Sequence, residues 1–205
     1  MSPRPYNLGQ RQVNTDQTRA RINEAARDLL IASNGFTTFS IDAVAKQADV
    51  TRMTVYHHFG SKTGLLEALC DSLASSGGMA KMVQVFQQPD TLKALDEYIA
   101  VFGRFWEADR LVTRKLRALA ALDPEFEQVI KARDERRRTG LRVLLQRLPQ
   151  KFSSDDLEKT VNLLYSLISF EFFDMLAGPA RSLIEVVPEV CQQAHLALTA
   201  SSSSA

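Results

Sequence analysis

Cysteine is nearly missing from this chain: Cys70 and Cys191 are the only two in 205 residues. Neither belongs to a CxxC pair or has companion histidines at ligand spacing. That argues against a zinc site and suits a reducing, cytoplasmic setting. Histidine is as scarce, with three, two of them adjacent. A Gly-rich phosphate loop, an HExxH helix and a Ser/His/Asp arrangement with a nucleophile elbow are also lacking, so an enzyme is disfavoured and no cofactor or metal is expected. No apolar run approaches the roughly 18 residues that span a bilayer. The opening MSPRPYNLGQRQVNTDQ lacks the apolar core of a secretory signal. Alternating strand patterns of useful length do not occur, which leaves an all-α fold.

Net charge is close to absent as well, at +1, which at first argues against a nucleic-acid partner. Its distribution is uneven, and distribution matters more than the sum. Residues 1–63 hold eight Lys/Arg against five Asp/Glu, whereas residues 64–205 hold seventeen against nineteen. A dimer would double the basic end.

What the chain does have is helical periodicity. Residues 1–16 carry Pro3, Pro5, Gly9 and polar residues without period, and read as a flexible arm. A first helix over about 17–34 puts Ile22, Ala25, Ala26, Leu29 and Leu30 on one face, with Asn34-Gly35 as its left-handed stop and Phe36 and Phe39 packing the loop. Later helices are expected at about 90–107, 110–121, 124–147, 154–177 and 181–199, and residues 200–205 form a Ser-rich tail. Pro188 either kinks the last helix or begins it.

The stretch from Ser40 to Leu69 is the most informative. Ser40 can cap a short helix, with Asp42 in the first turn favoured by the helix dipole. Ile41, Val44, Ala45 and Ala48 make its apolar face. It stops at Ala48-Asp49, because Asp tolerates a left-handed turn. Thr51 then caps a second helix that turns Val50, Val55 and Phe59 inward and Arg52, Met53, Thr54, Tyr56 and His57 outward. A turn of three or four residues followed by a helix presenting Arg, Thr, Tyr and His is the pattern of a DNA-reading helix-turn-helix.

These residues carry a family likeness. The run from Thr18 to Leu69 resembles the DNA-binding domain of the tetracycline-repressor (TetR) family of bacterial transcriptional regulators. The likeness lies in TRARINEAARDLL, in Asn34-Gly35-Phe36, in Ser40-Ile41, and in VTRMTVYHHFGSKTGLLEAL. Asp49 departs from the usual Gly, and Met53 from the usual small residue. The resemblance implies a helix-turn-helix domain over 17–63 and a helical effector-binding and dimerisation domain over 64–199. It implies a homodimer on a palindromic double-stranded operator, most often a repressor released by a small-molecule effector.

Resemblance and geometry together make Ser40, Thr51, Tyr56, His57 and Lys62 phosphate anchors, which position the protein on the duplex. Arg52 is the candidate base reader, since its fork matches guanine O6 and N7, with Met53 and Thr54 beside it in the groove. His58 is expected to pack beside Phe59 or to cap locally. Arg4 and Arg11 either enter a minor groove or have no role. The run Arg133–Arg138 is expected to be a solvated helical face.

In the second domain, Phe102, Phe105, Trp106, Phe126, Tyr165, Phe170 and Phe173 are candidate walls for an apolar or aromatic effector, with plain core the alternative for each. Glu171 and Asp174 interrupt an apolar helix: they lie on its narrow wet strip, meet Arg residues across a dimer, or address a cationic or hydroxylated ligand, and a structural or dimer role is the expected one. The 154–177 helix is apolar on nearly all sides, hence buried on nearly all sides. Its stripe Leu157, Val161, Leu164, Ile168, Phe172 and Met175, together with His195, is the candidate subunit interface. The opposite stripe, Leu163, Leu167, Phe170, Phe173 and Leu176, stays open for the same role. The rival reading is a co-regulator or interaction protein lacking either ligand binding or specific DNA binding. The complete set Arg52, Tyr56, His57 and Lys62 favours DNA.

Overall fold

The computed structural model describes residues 8–32, 39–149 and 152–202, and every regular element among them is helical. Internal contacts divide the chain into two units, Met1–Cys70 and Asp71–Ala205.

The first unit contains α1 (Leu8–Ile31), α2 (Ile41–Gln47), α3 (Arg52–Phe59) and the opening of α4 (Lys62–Ser76); the division falls inside α4. Ile22, Ala26 and Leu30 of α1 are buried with Val44 of α2, Val55 of α3 and Leu65, Leu66 and Leu69 of α4. Each of the larger of these side chains contributes roughly 1.5–3 kcal/mol on burial. The expected flexible arm is corrected in part, because α1 is already helical from Leu8. Residues 12–17 are exposed, so local pairs rather than packing hold this turn. Gln12 Nε2 donates to Asp16 at 3.0 Å, at the i,i+4 spacing that places side chains together, and Thr18 Oγ1 donates back to the Asn14 backbone carbonyl at 2.9 Å. Residues 1–7, the Asn34-Gly35 stop and Phe36 lie outside the described residues.

The second unit continues with a 3₁₀ turn (Met79–Lys81), α5 (Met82–Gln87), α6 (Thr91–Ala108), α7 (Arg110–Ala120), α8 (Pro124–Leu145), α9 (Ser154–Leu167), α10 (Phe170–Ala177) and α11 (Val187–Ser202). Asp90, Asp109, Asp123, Ser153 and Ser169 each accept a backbone N–H at the helix they open. This satisfies donors that a helix start leaves orphaned. Helix α9 packs on α8 and α11, and α6 on α8 and α11. Pro188 is the second residue of α11, where its missing N–H costs nothing, so it begins the helix. The 3₁₀ turn and α5 have no counterpart in the sequence reading: with Val85 their one buried residue, they are too short to show a period.

The single helix expected over 154–177 is two, bent by 48° at Ile168-Ser169. Ser169 takes an extended conformation and accepts from the Phe172 N–H at 3.1 Å. The Ile168 carbonyl, at the break, accepts from the Trp106 indole N–H at 3.2 Å. The apolar stripes run straight through the break, so periodicity does not reveal it; a Ser that competes for backbone donors does.

That bend corrects the interface expectation. Val161, Leu164 and Ile168 are 0% exposed and fill their own chain's core, leaving no surface for a second subunit. Leu157 and Phe172 are half-buried, and Met175 is 78% exposed. His195 Nε2 lies 2.8 Å from Asp96 Oδ1. The candidate pocket walls lie in this core or at its edge. Phe126 is fully buried, and Phe102, Trp106, Phe170 and Phe173 are core. Tyr98, Phe102, Trp106 and Phe170 form a ladder of rings at 5.0, 5.7 and 5.8 Å. Phe105 and Tyr165 are half-buried against this core.

Glu171 and Asp174 are ion-pair partners within the chain. Asp174 accepts from Arg110 Nε at 2.6 Å and Arg114 Nη2 at 2.7 Å, and Glu171 accepts from Arg117. Desolvation pushes the Asp174 carboxyl up, but the hydrogen bonds and charges of Arg114 and Arg110 outweigh it and hold it below its usual value. Its contribution to stability is therefore complete above about pH 4 and lost as pH falls further.

Gly140 of α8 is required by close approach. A Cβ there would lie 2.6 Å from Tyr98 Oη, whose hydroxyl donates to the Arg137 carbonyl at 2.7 Å. Gly140→Ala is expected to destabilise the protein by about 1–3 kcal/mol, the usual cost of overpacking. Thermal denaturation checks this, and an unchanged melting temperature would show that Tyr98 can swing aside.

Candidate nucleic-acid interface

Three local devices shape the surface of α2 and α3. Ser40 Oγ accepts from the Ala43 N–H at 3.2 Å and starts α2. Asp49 takes φ 51°, the left-handed conformation that turns the chain between the helices. Thr51 Oγ1 accepts from the Thr54 N–H at 3.1 Å and starts α3, which ends at Gly60 with φ 74°. The side chain that caps each helix is thus also a candidate phosphate contact.

Buried Val55 pins α3 to the first unit's core and rotates the opposite face outward. Arg52, Met53 and His57 are exposed, and Thr54 and Tyr56 are partly so; Met53, at 73%, is among the most exposed apolar side chains described. Ser40 and Thr51 are exposed, and Lys62 is half-buried at the start of α4, with its ammonium 6.0 Å from the centre of the Phe39 ring. His58 turns toward Phe59, with ring centres 6.1 Å apart. Desolvation, then the charges of His57 and Arg19, lowers its pKa, and it is the less exposed member of the histidine pair. Its carbonyl accepts from Arg19 Nη1 at 2.8 Å, tying α3 to α1.

One partner was not anticipated. Arg52 Nη1 reaches Asp42 at 3.1 Å and Nη2 reaches the Tyr56 hydroxyl at 3.2 Å. The base-reading candidate is thereby held across the α2–α3 turn by a carboxylate that DNA would repel. An exposed pair of this kind contributes under about 1 kcal/mol, so it orients Arg52 without locking it. Asp42→Asn is expected to raise affinity for all duplexes a few-fold by removing a negative charge from a face that meets phosphates. Fluorescence anisotropy across a salt series tests this, and weaker binding by the variant would mean that Asp42 positions Arg52 for contact.

In the second unit, the run 133–138 is only in part the solvated face expected of it: Glu135 and Arg136 are exposed, but Arg137 is buried. Its order, Arg-Asp-Glu-Arg-Arg-Arg, does not mark which arginine turns inward. Arg137 is 3% exposed, because α8 rolls it onto the aromatic ladder, 5.7 Å from Phe102, 5.5 Å from Trp106 and 4.5 Å from Tyr165. Asp134 bridges Arg137 Nη1 at 3.1 Å and Arg117 Nη2 at 3.2 Å. Open clefts among the described residues include Asp174 and His195 in their walls. One is lined by Thr91, Leu148, His195 and Leu198, another by Arg110, Arg114, Asp174 and Pro179.

Comparison with known proteins agrees with this geometry. The family model of bacterial regulatory proteins, tetR family, matches residues 22–69. The HTH-type transcriptional regulator UidR of Escherichia coli (strain K12) is 40% identical over 58 residues. That match covers 28% of this chain and spans only 29% of the relative's length. Solved structures extend the likeness of fold to most of the chain. The TetR family transcriptional regulator PfmR from Thermus thermophilus aligns with a TM-score of 0.61 at 21% identity, covering 87% of this chain and 97% of that one. A regulator from Saccharomonospora viridis, solved in complex with choline, aligns at 0.64 and 16% identity, covering 90% and 96%. Residues 22–69 thus match the helix-turn-helix domain of the tetR family of bacterial regulatory proteins, and the chain shares the fold of a TetR family transcriptional regulator over most of its length.

Proposed function

We propose that this protein regulates transcription as a homodimer that binds a palindromic operator through α3, represses, and lets go when a small molecule occupies the second unit. The observation that carries the proposal is the exposed α3 face, where Arg52, Met53, Thr54, Tyr56 and His57 gather beside the Ser40 and Thr51 caps. Arg52 reads bases, Met53 and Thr54 line the groove beside it, and Ser40, Thr51, Tyr56, His57 and Lys62 hold phosphates. The domain limits proposed are a reading head over 17–63 and an effector and dimerisation region over 64–199. For the subunit interface, the apolar surface left on α9, α10 and α11 is Leu163, Met175 and Leu196, which replaces the buried part of the expected stripe. The choline complex of the Saccharomonospora regulator supports a small-molecule ligand as a general mode.

The test is a gel shift of the full chain against DNA from upstream of its own coding sequence and against a scrambled duplex. A salt-sensitive complex that prefers the upstream fragment is expected, together with dimeric mass by sedimentation. Lys62→Ala is expected to weaken both duplexes alike and lower the salt slope by about 1. Equal affinity for both duplexes across salt would favour the co-regulator reading instead.

A further inference from the structure

The guanidinium of Arg137 lacks an acceptor on one whole side. Its side chain is 2% exposed, and its Nη1 is taken by Asp134 Oδ1 at 3.1 Å. Its Nε and Nη2 are buried with no hydrogen-bond partner among the described residues. Those two nitrogens are not a random pair: they form the side-on fork with which arginine grips both oxygens of a carboxylate at once. Leaving a buried ionised donor unmade is expensive, and folded chains rarely do so twice on one group.

Among the described residues, the polar groups around the fork are engaged elsewhere. Asp134 is engaged by both Arg117 Nη1 at 3.4 Å and Arg117 Nη2 at 3.2 Å. The Tyr98 hydroxyl donates to Arg137's own carbonyl, and the Trp106 N–H is a donor already spent on Ile168. Tyr165, Trp106 and Phe102 contribute ring faces, which stabilise a cation but offer no acceptor in the guanidinium plane. Tyr165 is itself clasped, with Arg138 4.4 Å and Arg137 4.5 Å from its ring centre. The cluster is a cation held among aromatic rings, its bidentate edge unmatched.

We propose that the second unit binds a small molecule bearing a carboxylate, whose two oxygens accept from Nε–H and Nη2–H of Arg137 while its apolar or aromatic body lies against Tyr165, Trp106 and Phe102. The inference rests on the reading of this unit as the effector domain and narrows it to a chemical class. A neutral ligand would leave the fork half satisfied, and a cation would be repelled by Arg137 and Arg138.

Trp106 is the only tryptophan in the chain, and the centre of its ring system stands 5.5 Å from the Arg137 guanidinium, so its emission reports on the site. The full-length protein is titrated with acetate, benzoate and phenylacetate, and in parallel with acetamide, benzamide and phenylacetamide. At least one acid should change Trp106 emission saturably, with a dissociation constant about tenfold or more below that of its amide. The preference should vanish in Arg137→Met. If that variant does not fold, the wild-type arginine Nε–H resonances decide: one slowly exchanging signal should move downfield with the acid and stay with the amide. Equal responses to acid and amide, no response to any acid, or a preference that survives Arg137→Met overturns the proposal. Operator binding is measured separately by anisotropy. Specific DNA binding with no acid response sinks the carboxylate site and leaves the regulator, whereas failure of DNA binding alone sinks the regulator.

Discussion

Replacing Arg52 by alanine is expected to lower operator affinity by about 10- to 100-fold, since a bidentate arginine–guanine contact discriminates by roughly 1–3 kcal/mol. The effect should be much smaller on scrambled DNA, which a base reader serves only as one charge among several. Fold stability should scarcely move. The Arg52 side chain is 57% exposed in its pair with Asp42, and exposed pairs contribute little. The comparison is made by anisotropy with both duplexes at several salt concentrations. Equal losses on both would reassign Arg52 to phosphate contact. No loss on either would remove α3 from the reading role altogether.

Asp134→Ala is expected to be among the most damaging single changes to the second unit. Arg137 is 2% exposed, Arg117 19% and Asp134 itself 15%. Deleting the carboxylate strands two guanidiniums with little water to replace it, and breaking a buried pair from one side typically costs about 3–5 kcal/mol. Desolvation lowers the Arg117 pKa, and Asp134 followed by Glu171 more than offsets it; without Asp134, half-exposed Glu171 remains as the counter-charge. A fall in melting temperature of about 6–20 °C is expected at this chain length. A fall of no more than a degree would show that water reaches Arg117 and Arg137 readily. Asp134→Asn should lie between the two, since it keeps an acceptor and loses the charge.

These two outcomes separate what local chemistry announces from what it hides. The helix-turn-helix was legible because its determinants sit within a few residues of one another. Ser40 and Thr51 cap the helices they precede, Asp49 takes the left-handed turn, and Val55 faces inward at the spacing that leaves Arg52 and Tyr56 outward. The helix starts at Thr91, Arg110 and Pro124 fall within a residue of the expected positions, and the structure shows each following an Asp that caps it. Where reading by period went astray, the deciding contact was remote in sequence. Ser169 breaks a stripe that continues on both sides, and the Ile168 carbonyl at the break is satisfied by Trp106, 62 positions away. The charged run at 133–138 gave no hint of which arginine is buried, because that depends on the rings of α6 and α9.

By itself, then, the sequence determined an all-helical chain, the helix boundaries marked by capping residues, and the face of α3 that meets solvent. Capping, handedness of a turn and helical period are local terms, settled within one or two turns of backbone. Only the tertiary structure decided that Val161, Leu164 and Ile168 belong to their own core, that Asp174 and Glu171 neutralise arginines of α7, and that Arg137 is buried with one edge unmatched. Burial and pairing depend on which helices meet, and a charged side chain on an amphipathic helix carries no mark of the neighbour that will cover it.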